Sequence, residues 1–158
     1  MRKSDNFEEP FPFKFRKNDD NSGFLLWKVS YMWQMEQRRV LLKYHNISQM
    51  DYVILASTYY LMSTEQKITP TILARHTKIA TVGIAQLLKS LEQRKLIERY
   101  SKEDDGKSRF VKVSDTGVEV LKKAIITVEA FDDRFFKVIG TKIGVLNKFF
   151  VDLIKTNE

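Results

Sequence analysis

Residues 68–117 read "ITPTILARHTKIATVGIAQLLKSLEQRKLIERYSKEDDGKSRFVKVSDTG", and the order of elements inside them decides the fold. Thr69 followed by Pro70 is a helix start: a hydroxyl that can accept an orphan backbone N–H, then a ring preset for the first helical position. "TILARHTK" is therefore a short helix, ending before "IAT". A second helix is predicted from about Thr81 to Arg94, with Ile84, Leu87, Leu88 and Leu91 recurring at helical period on its buried stripe. Lys95 ends it. Leu96–Ser101 and Phe110–Val113 have strand character, and Asp105-Gly106 between them is a two-residue hairpin signal, although the long polar span also suits a looser loop. Ser114 caps the helix that follows.

The same reading extends to both sides. Residues 1–21 hold Pro10, Pro12 and the alternating phenylalanines of "FPFKF", and are expected to form an extended arm. "NDDNS" offers several N-caps for a helix from Gly23 to Tyr44. That helix carries Phe24, Leu25, Trp27, Val29, Met32, Trp33, Met35, Val40 and Leu41 on more than one face, which fits burial by its own core and by a second chain. Ser48 opens the next helix, with Asp51 three residues on as a relative of the capping box, and "MDYVILASTYYLMS" continues it to about Ser63. After Ser114 a helix is expected from Asp115 to roughly Val138, then a break and a new cap at Gly140-Thr141. A last amphipathic helix carries Ile143, Leu146, Phe149, Phe150, Leu153 and Ile154.

Bulk composition narrows the function. The 158 residues suit one domain with a full core. Cysteine is absent, which removes disulfides and thiol chemistry and points to a reducing, cytoplasmic setting. His45 and His76 are the only histidines, too few for a protein-only metal site, so no metal and no cofactor are expected. The opening "MRKSDNFEEPFPFKF" has no signal-peptide run, and no stretch is long and apolar enough for a membrane span. Neither a glycine-rich phosphate loop nor a clustered acid/base set is present, and Asp104 and Asp105 are adjacent on a loop tip, so an enzyme is not expected. The net charge is +7, and residues 64–113 hold eleven Lys and Arg against six Asp and Glu, which places +5 of it in about a third of the chain. Such clustering is the footprint of a polyanion binder.

Helix, short helix, helix and hairpin in that order make a winged helix-turn-helix, in which the second helix of the pair fits the DNA major groove and the hairpin reaches the neighbouring backbone or minor groove. The wing tip then has a physical reason. Lys102, Lys107, Ser108 and Arg109 can meet phosphates, and Gly106 lets the chain turn. Asp104 or Asp105 is expected to pair with Arg99, Lys107 or Arg109 and stiffen the loop.

The stretches "LARHTKI", "LLKSLEQRKLIER", the acidic-then-basic wing and "VSDTG" together resemble the core of the MarR family of bacterial transcriptional regulators. The similarity is strongest over residues 48–117. It implies a mainly α fold with a small β-hairpin wing: a winged helix DNA-binding lobe at 48–114, and dimerisation helices at 22–47 and 115–158 of one MarR-like domain. It also implies a homodimer on a pseudo-palindromic double-stranded operator, acting as a repressor that responds to a small aromatic or phenolic effector, for which Trp27 and Tyr31 are pocket candidates. Thr69, Arg75 and Lys78 are the backbone-contact candidates around the first helix of the pair.

The departures from the family pattern concern base reading. Ala80-Thr81 stands where the family has Asp-Arg, so the recognition helix lacks its usual N-cap, at a cost of about 1 kcal/mol unless Thr77 or Thr81 substitutes. The family's later arginine aligns with Gln86. The predicted recognition face is Thr81, Val82, Gly83, Ala85, Gln86 and Lys89, nearly uncharged, with Gln86 suited to adenine and Val82 or Ala85 to a thymine methyl. Base reading is then modest or AT-leaning, with heavy reliance on phosphates and DNA shape. The competing reading is a winged-helix protein-interaction module whose charge serves solubility alone.

Overall fold

Residues 18–64, 67–101 and 110–157 are described by the computed structural model. Asn18–Asp20, the end of the expected arm, is a 3-10 turn and not extended chain. Its two aspartates stand just before the positive end of the following helix, where negative charge is favourable. The remainder of the arm, 1–17, lies outside the described residues.

Helix α1 runs Ser22–His45, capped by the Asn21 side chain, which accepts from the Phe24 N–H at 3.0 Å. Helix α2 runs Gln49–Thr64 and opens with a reciprocal cap: the Ser48 N–H donates to Asp51 Oδ2 at 2.9 Å, and the Asp51 N–H donates to Ser48 Oγ at 3.0 Å. Two orphan donors are thereby satisfied. Helix α3 spans Pro70–Thr77 with Thr69 as its cap, and α4 spans Thr81–Gln93. Strands β1 (Ile97–Tyr100) and β2 (Phe110–Val113) pair antiparallel, Ile97 opposite Val113 and Tyr100 opposite Phe110. The Val111 N–H also donates to the Ile68 carbonyl at 2.9 Å, which ties the base of the hairpin to the entry of α3.

Helix α5 runs Asp115–Phe135, shorter than the sequence predicts. The chain then tightens into a 3-10 segment, Lys137–Lys142, inside which Gly140 takes φ 56°, before α6 at Ile143–Thr156. Gly140 kinks this segment at positive φ, where a side chain would be strained, but α5 has already ended at Phe135, so the break falls earlier than expected. Thr141 does not recap the chain; α6 starts without a side-chain cap.

Buried side chains from five helices and the hairpin form the core: Leu41 of α1, Ile54 and Leu55 of α2, Leu73 of α3, Ile84, Leu88 and Leu91 of α4, Val111 of β2 and Leu121 of α5. The end of α4 locks into the start of α5. Lys95 sits in the left-handed region (φ 59°), the Leu96 N–H returns to the Leu91 carbonyl and the Lys95 N–H to Glu92, both at 2.9 Å: a Schellman motif with lysine at the usual glycine position. Ser114 Oγ donates to the Lys95 carbonyl at 2.6 Å and accepts from the Gly117 N–H at 3.0 Å. A Cβ on Gly117 would collide with the Leu96 carbonyl, so "VSDTG" demands glycine there for close approach.

The ends of the chain pack differently. Helix α6 buries none of its residues, and Phe149, Leu153 and Ile154 are each more than half exposed. In α1 only Gln37, Val40 and Leu41 are buried, while Leu26, Trp27, Tyr31 and Met32 are open. Among the described residues, no helix is long and apolar enough to cross a membrane.

Candidate nucleic-acid interface

The turn between α3 and α4 is held by Thr77. Its hydroxyl donates to the Leu73 carbonyl at 2.8 Å and accepts from the Ile79 N–H at 3.3 Å, while Lys78 turns the chain at φ 61°. With the Thr77 hydroxyl so used, α4 begins at Ala80 with no side-chain cap. Neither threonine considered from the sequence replaces the missing aspartate.

Burial of Ile84, Leu88 and Leu91 turns the opposite face of α4 outward. Thr81, Val82, Ala85, Gln86 and Lys89 are exposed on that face, Val82 at 73%. Gly83 lies at its edge, half-buried, where a Cβ would meet Ile79 Cγ2 at 3.2 Å. An α-helix can enter a DNA major groove, and this is the face that α4 turns away from the core. Beside it, Arg75 and Lys78 are exposed on α3 and the following turn, and Thr69 is half-buried with its hydroxyl engaged in capping by the Ile72 N–H at 3.3 Å.

Several cations of the basic window face carboxylates. Lys112 Nζ stands 2.7 Å from Glu98 Oε2, and that hydrogen bond holds the ammonium pKa above its ordinary value. Arg99 Nε stands 3.1 Å from Glu92 Oε2 at the end of α4. The contact has ion-pair distance without hydrogen-bond alignment, since the same nitrogen is buried and makes no such bond among the described residues. Arg94 is drawn inward to Asp51 at 2.8 Å. The positive field of this lobe is accordingly weaker than the bare count of lysines and arginines implies. Lys102, Asp104, Asp105, Gly106, Lys107, Ser108 and Arg109, to which the wing contacts, the stiffening pair and the turn were assigned, lie outside the described residues.

The pocket candidates Trp27 and Tyr31 stack on each other, ring centroids 5.6 Å apart, with Phe24 a further 6.0 Å along. Trp27 and Tyr31 are each more than half exposed. Tyr31 also lines a cavity of about 70 Å³ with Gln34, Met35, Arg38 and Gln49.

Four polar links escaped the sequence reading. Gln49 Nε2 donates to Gln37 Oε1 at 2.6 Å in a buried pair between α2 and α1. Trp33 Nε1 donates to Asp132 Oδ1 at 2.8 Å, and His45 Nε2 meets Thr127 Oγ1 at 2.7 Å, both joining α1 to α5. Arg94 joins α4 to the corner between α1 and α2. A polar residue on the inward stripe of a helix was the available signal for Gln37 and Gln49. Partners 43 to 99 residues apart left no local pattern for the other links.

No protein-family model matches the chain. YdcH of Bacillus subtilis, described as an uncharacterised helix-turn-helix-type transcriptional regulator, is 25% identical over 134 residues, covering 85% of this chain and 90% of that protein. A MarR-family transcriptional regulator from Rhodococcus sp. RHA1 superposes with a TM-score of 0.73 at 21% identity over 88% of this chain and 95% of its own. CouR from Rhodococcus jostii RHA1, solved with p-coumaroyl-CoA bound, gives a TM-score of 0.74 at 21% identity over 88% and 93% of the two chains. MepR of S. aureus, solved as a DNA complex, gives a TM-score of 0.70 at 16% identity over 90% and 100%. The described residues, a two-stranded hairpin after a helix pair within six α-helices, therefore have the winged helix fold of the MarR-family transcriptional regulators.

Proposed function

We propose that the chain is a sequence-specific, double-stranded DNA-binding transcriptional regulator that works in the cytoplasm as a homodimer, by binding and not by catalysis. The observation that carries this reading is the outward stripe of α4, with Thr81, Val82, Ala85, Gln86 and Lys89 exposed beside a hairpin in the order a winged helix requires. MepR, which shares the fold, has been solved on DNA. Gln86 is the residue for adenine and Val82 or Ala85 for a thymine methyl. Lys89, Arg75, Lys78 and the hairpin cations Lys102, Lys107 and Arg109 meet phosphates. Ser108 and Thr69 add hydroxyl donors to the same backbone.

The open apolar faces of α1 and α6 support the dimer, since each exposes several large apolar side chains that a second copy would cover. A pseudo-palindromic operator follows from the two-fold symmetry of such a pair. A repressor released by a small aromatic or phenolic effector completes the reading; the exposed Phe24, Trp27 and Tyr31 column supplies flat surfaces for a ring, and CouR has been solved with p-coumaroyl-CoA bound.

Duplex binding measured across salt tests the reading. Counterion release from six or more phosphate contacts lowers affinity by about a thousandfold or more between roughly 50 and 200 mM salt, and Lys107→Ala with Arg109→Ala flattens the slope. Binding that ignores salt, or a slope untouched by those two changes, would contradict it and favour a protein partner for the α4 face.

A further inference from the structure

Arg94 stands where three helix ends meet. It is the C-cap residue of α4, its Nη1 donates to Asp51 Oδ2 at 2.8 Å, and its Nη2 donates to the Asn46 carbonyl at 2.6 Å. Asn46 is the left-handed C-cap of α1, and Asp51 lies in the first turn of α2. The cation therefore meets the negative end of α1 and a carboxylate that is only 5% exposed. Asp51 Oδ2 also receives the Ser48 N–H, so Arg94 grips an atom already held in place by the α2 cap.

The apolar stripe of α4 and this clasp constrain the helix in different ways. Ile84, Leu88 and Leu91 fix how deeply α4 sits, but apolar contact is non-directional and tolerates small rotations and slides. Two charge-assisted hydrogen bonds from one planar guanidinium to two different elements are directional. They fix the end of α4 against α1, the helix whose open face is assigned above to the second chain. In the dimer, two α4 helices reach DNA at a separation and angle set through that joint.

We propose that Arg94 is a positioning residue: through Asp51 and Asn46 it sets the direction of the recognition helix relative to α1, and so the half-site spacing that the dimer accepts. This rests on the DNA-binding dimer proposed above. Lysine at this position keeps the charge but offers a single nitrogen and cannot reach both acceptors in the same geometry.

Because the chain has no cysteine, single labels are unique, and the joint can be examined without DNA. Spin labels at Lys43→Cys on α1 and Gln86→Cys on α4, in labelled chain diluted with unlabelled chain, report the intrachain distance. The distribution is narrow with Arg94 and broadens in Arg94→Lys. In otherwise unlabelled protein, Arg94→Lys lowers affinity for the selected operator by about tenfold, the upper part of the range for a residue that touches neither ligand. Affinity for unrelated duplex stays within about twofold, and the penalty for inserting one base pair between half-sites shrinks, as a loosened joint requires. An unchanged distance distribution with an unchanged spacing penalty overturns the proposal. So does a variant whose operator and unrelated-duplex affinities fall together with its melting temperature, because that is a merely structural role. Arg94→Ala is the harsher variant; if it fails to fold, Arg94→Lys carries the test. Absence of any DNA binding by the parent chain defeats the function reading instead, and the spin-label comparison still decides whether Arg94 holds the joint.

Discussion

Helices α4 and α6 carry equally legible apolar stripes, yet one is finished within the chain and the other is not. In α4 the stripe of Ile84, Leu88 and Leu91 is fully buried beneath α2, α3 and β1. In α6 Phe149, Leu153 and Ile154 stay more than half exposed, although their spacing is as regular. Periodicity reports that a helix has an inside face. It does not report whether the inside belongs to the same molecule. The contrast divides the protein into a lobe that completes its own core and ends whose apolar faces stay open.

The largest expected effect breaks that contrast directly. Leu88→Ala removes a side chain with 0% exposure and lowers unfolding stability by about 2–5 kcal/mol in denaturant titrations. Leu153→Asp on α6 leaves the circular dichroism of the lobe intact and converts a sedimenting dimer to monomer at micromolar concentration. Were Leu153→Asp still dimeric, or as damaging to the lobe as Leu88→Ala, the division would be wrong. Gln86→Ala comes next, costing about 1–3 kcal/mol at a single base position of the operator and little elsewhere. A sequence preference unchanged by that substitution would move the reading face off α4.

A smaller effect tests the missing cap. Ala80→Asp gives α4 an acceptor for its first-turn N–H groups and raises stability by about 1 kcal/mol, read from the denaturation midpoint. No gain would mean that those groups are already satisfied in another way. The smallest effect concerns pH. Burial first, and the Lys123 charge second, hold the His45 imidazole below its ordinary value. The unfolded chain then binds the proton more readily than the folded one, so stability is full above about pH 6.5, falls as pH drops through the interval below it, and levels off beneath the lowered value. His45→Gln removes that slope; a pH dependence of melting identical in the two proteins would count against the assignment.

Much of the lobe was legible because its determinants are local. Ser48 with Asp51, Thr69 with Pro70, and Ser114 before Asp115 each announce a helix within four residues, and each makes the expected contact. The candidate face on α4 came from alignment with the family pattern; Thr81, Val82, Ala85, Gln86 and Lys89 of it are exposed, and Gly83 is half-buried. What local pattern does not hold was missed. Asp51 was readable as a cap, but its second bond, to Arg94, spans 43 residues. The contact of Arg99 with Glu92, one helix back at 3.1 Å, was not foreseen either. The end of α5 was placed too late because no glycine or proline marks Phe135, and the breaker read from the sequence, Gly140, lies inside the 3-10 segment that follows. Trp33 was legible as an aromatic on an apolar face, but not as the donor to Asp132.

Selection of bound duplexes from a random pool, at low and at high salt, bears on both halves of the molecule at once. The lobe, through the α4 face, should select a half-site centred on the base that Gln86 reads. The ends, through α1 and α6, should impose a two-fold symmetric pair of half-sites about one helical turn apart. Recovery of that symmetric site, with retention falling steeply as salt rises, is the predicted result. A retained pool with no motif, or a single unpaired half-site bound by a monomer, would contradict the account.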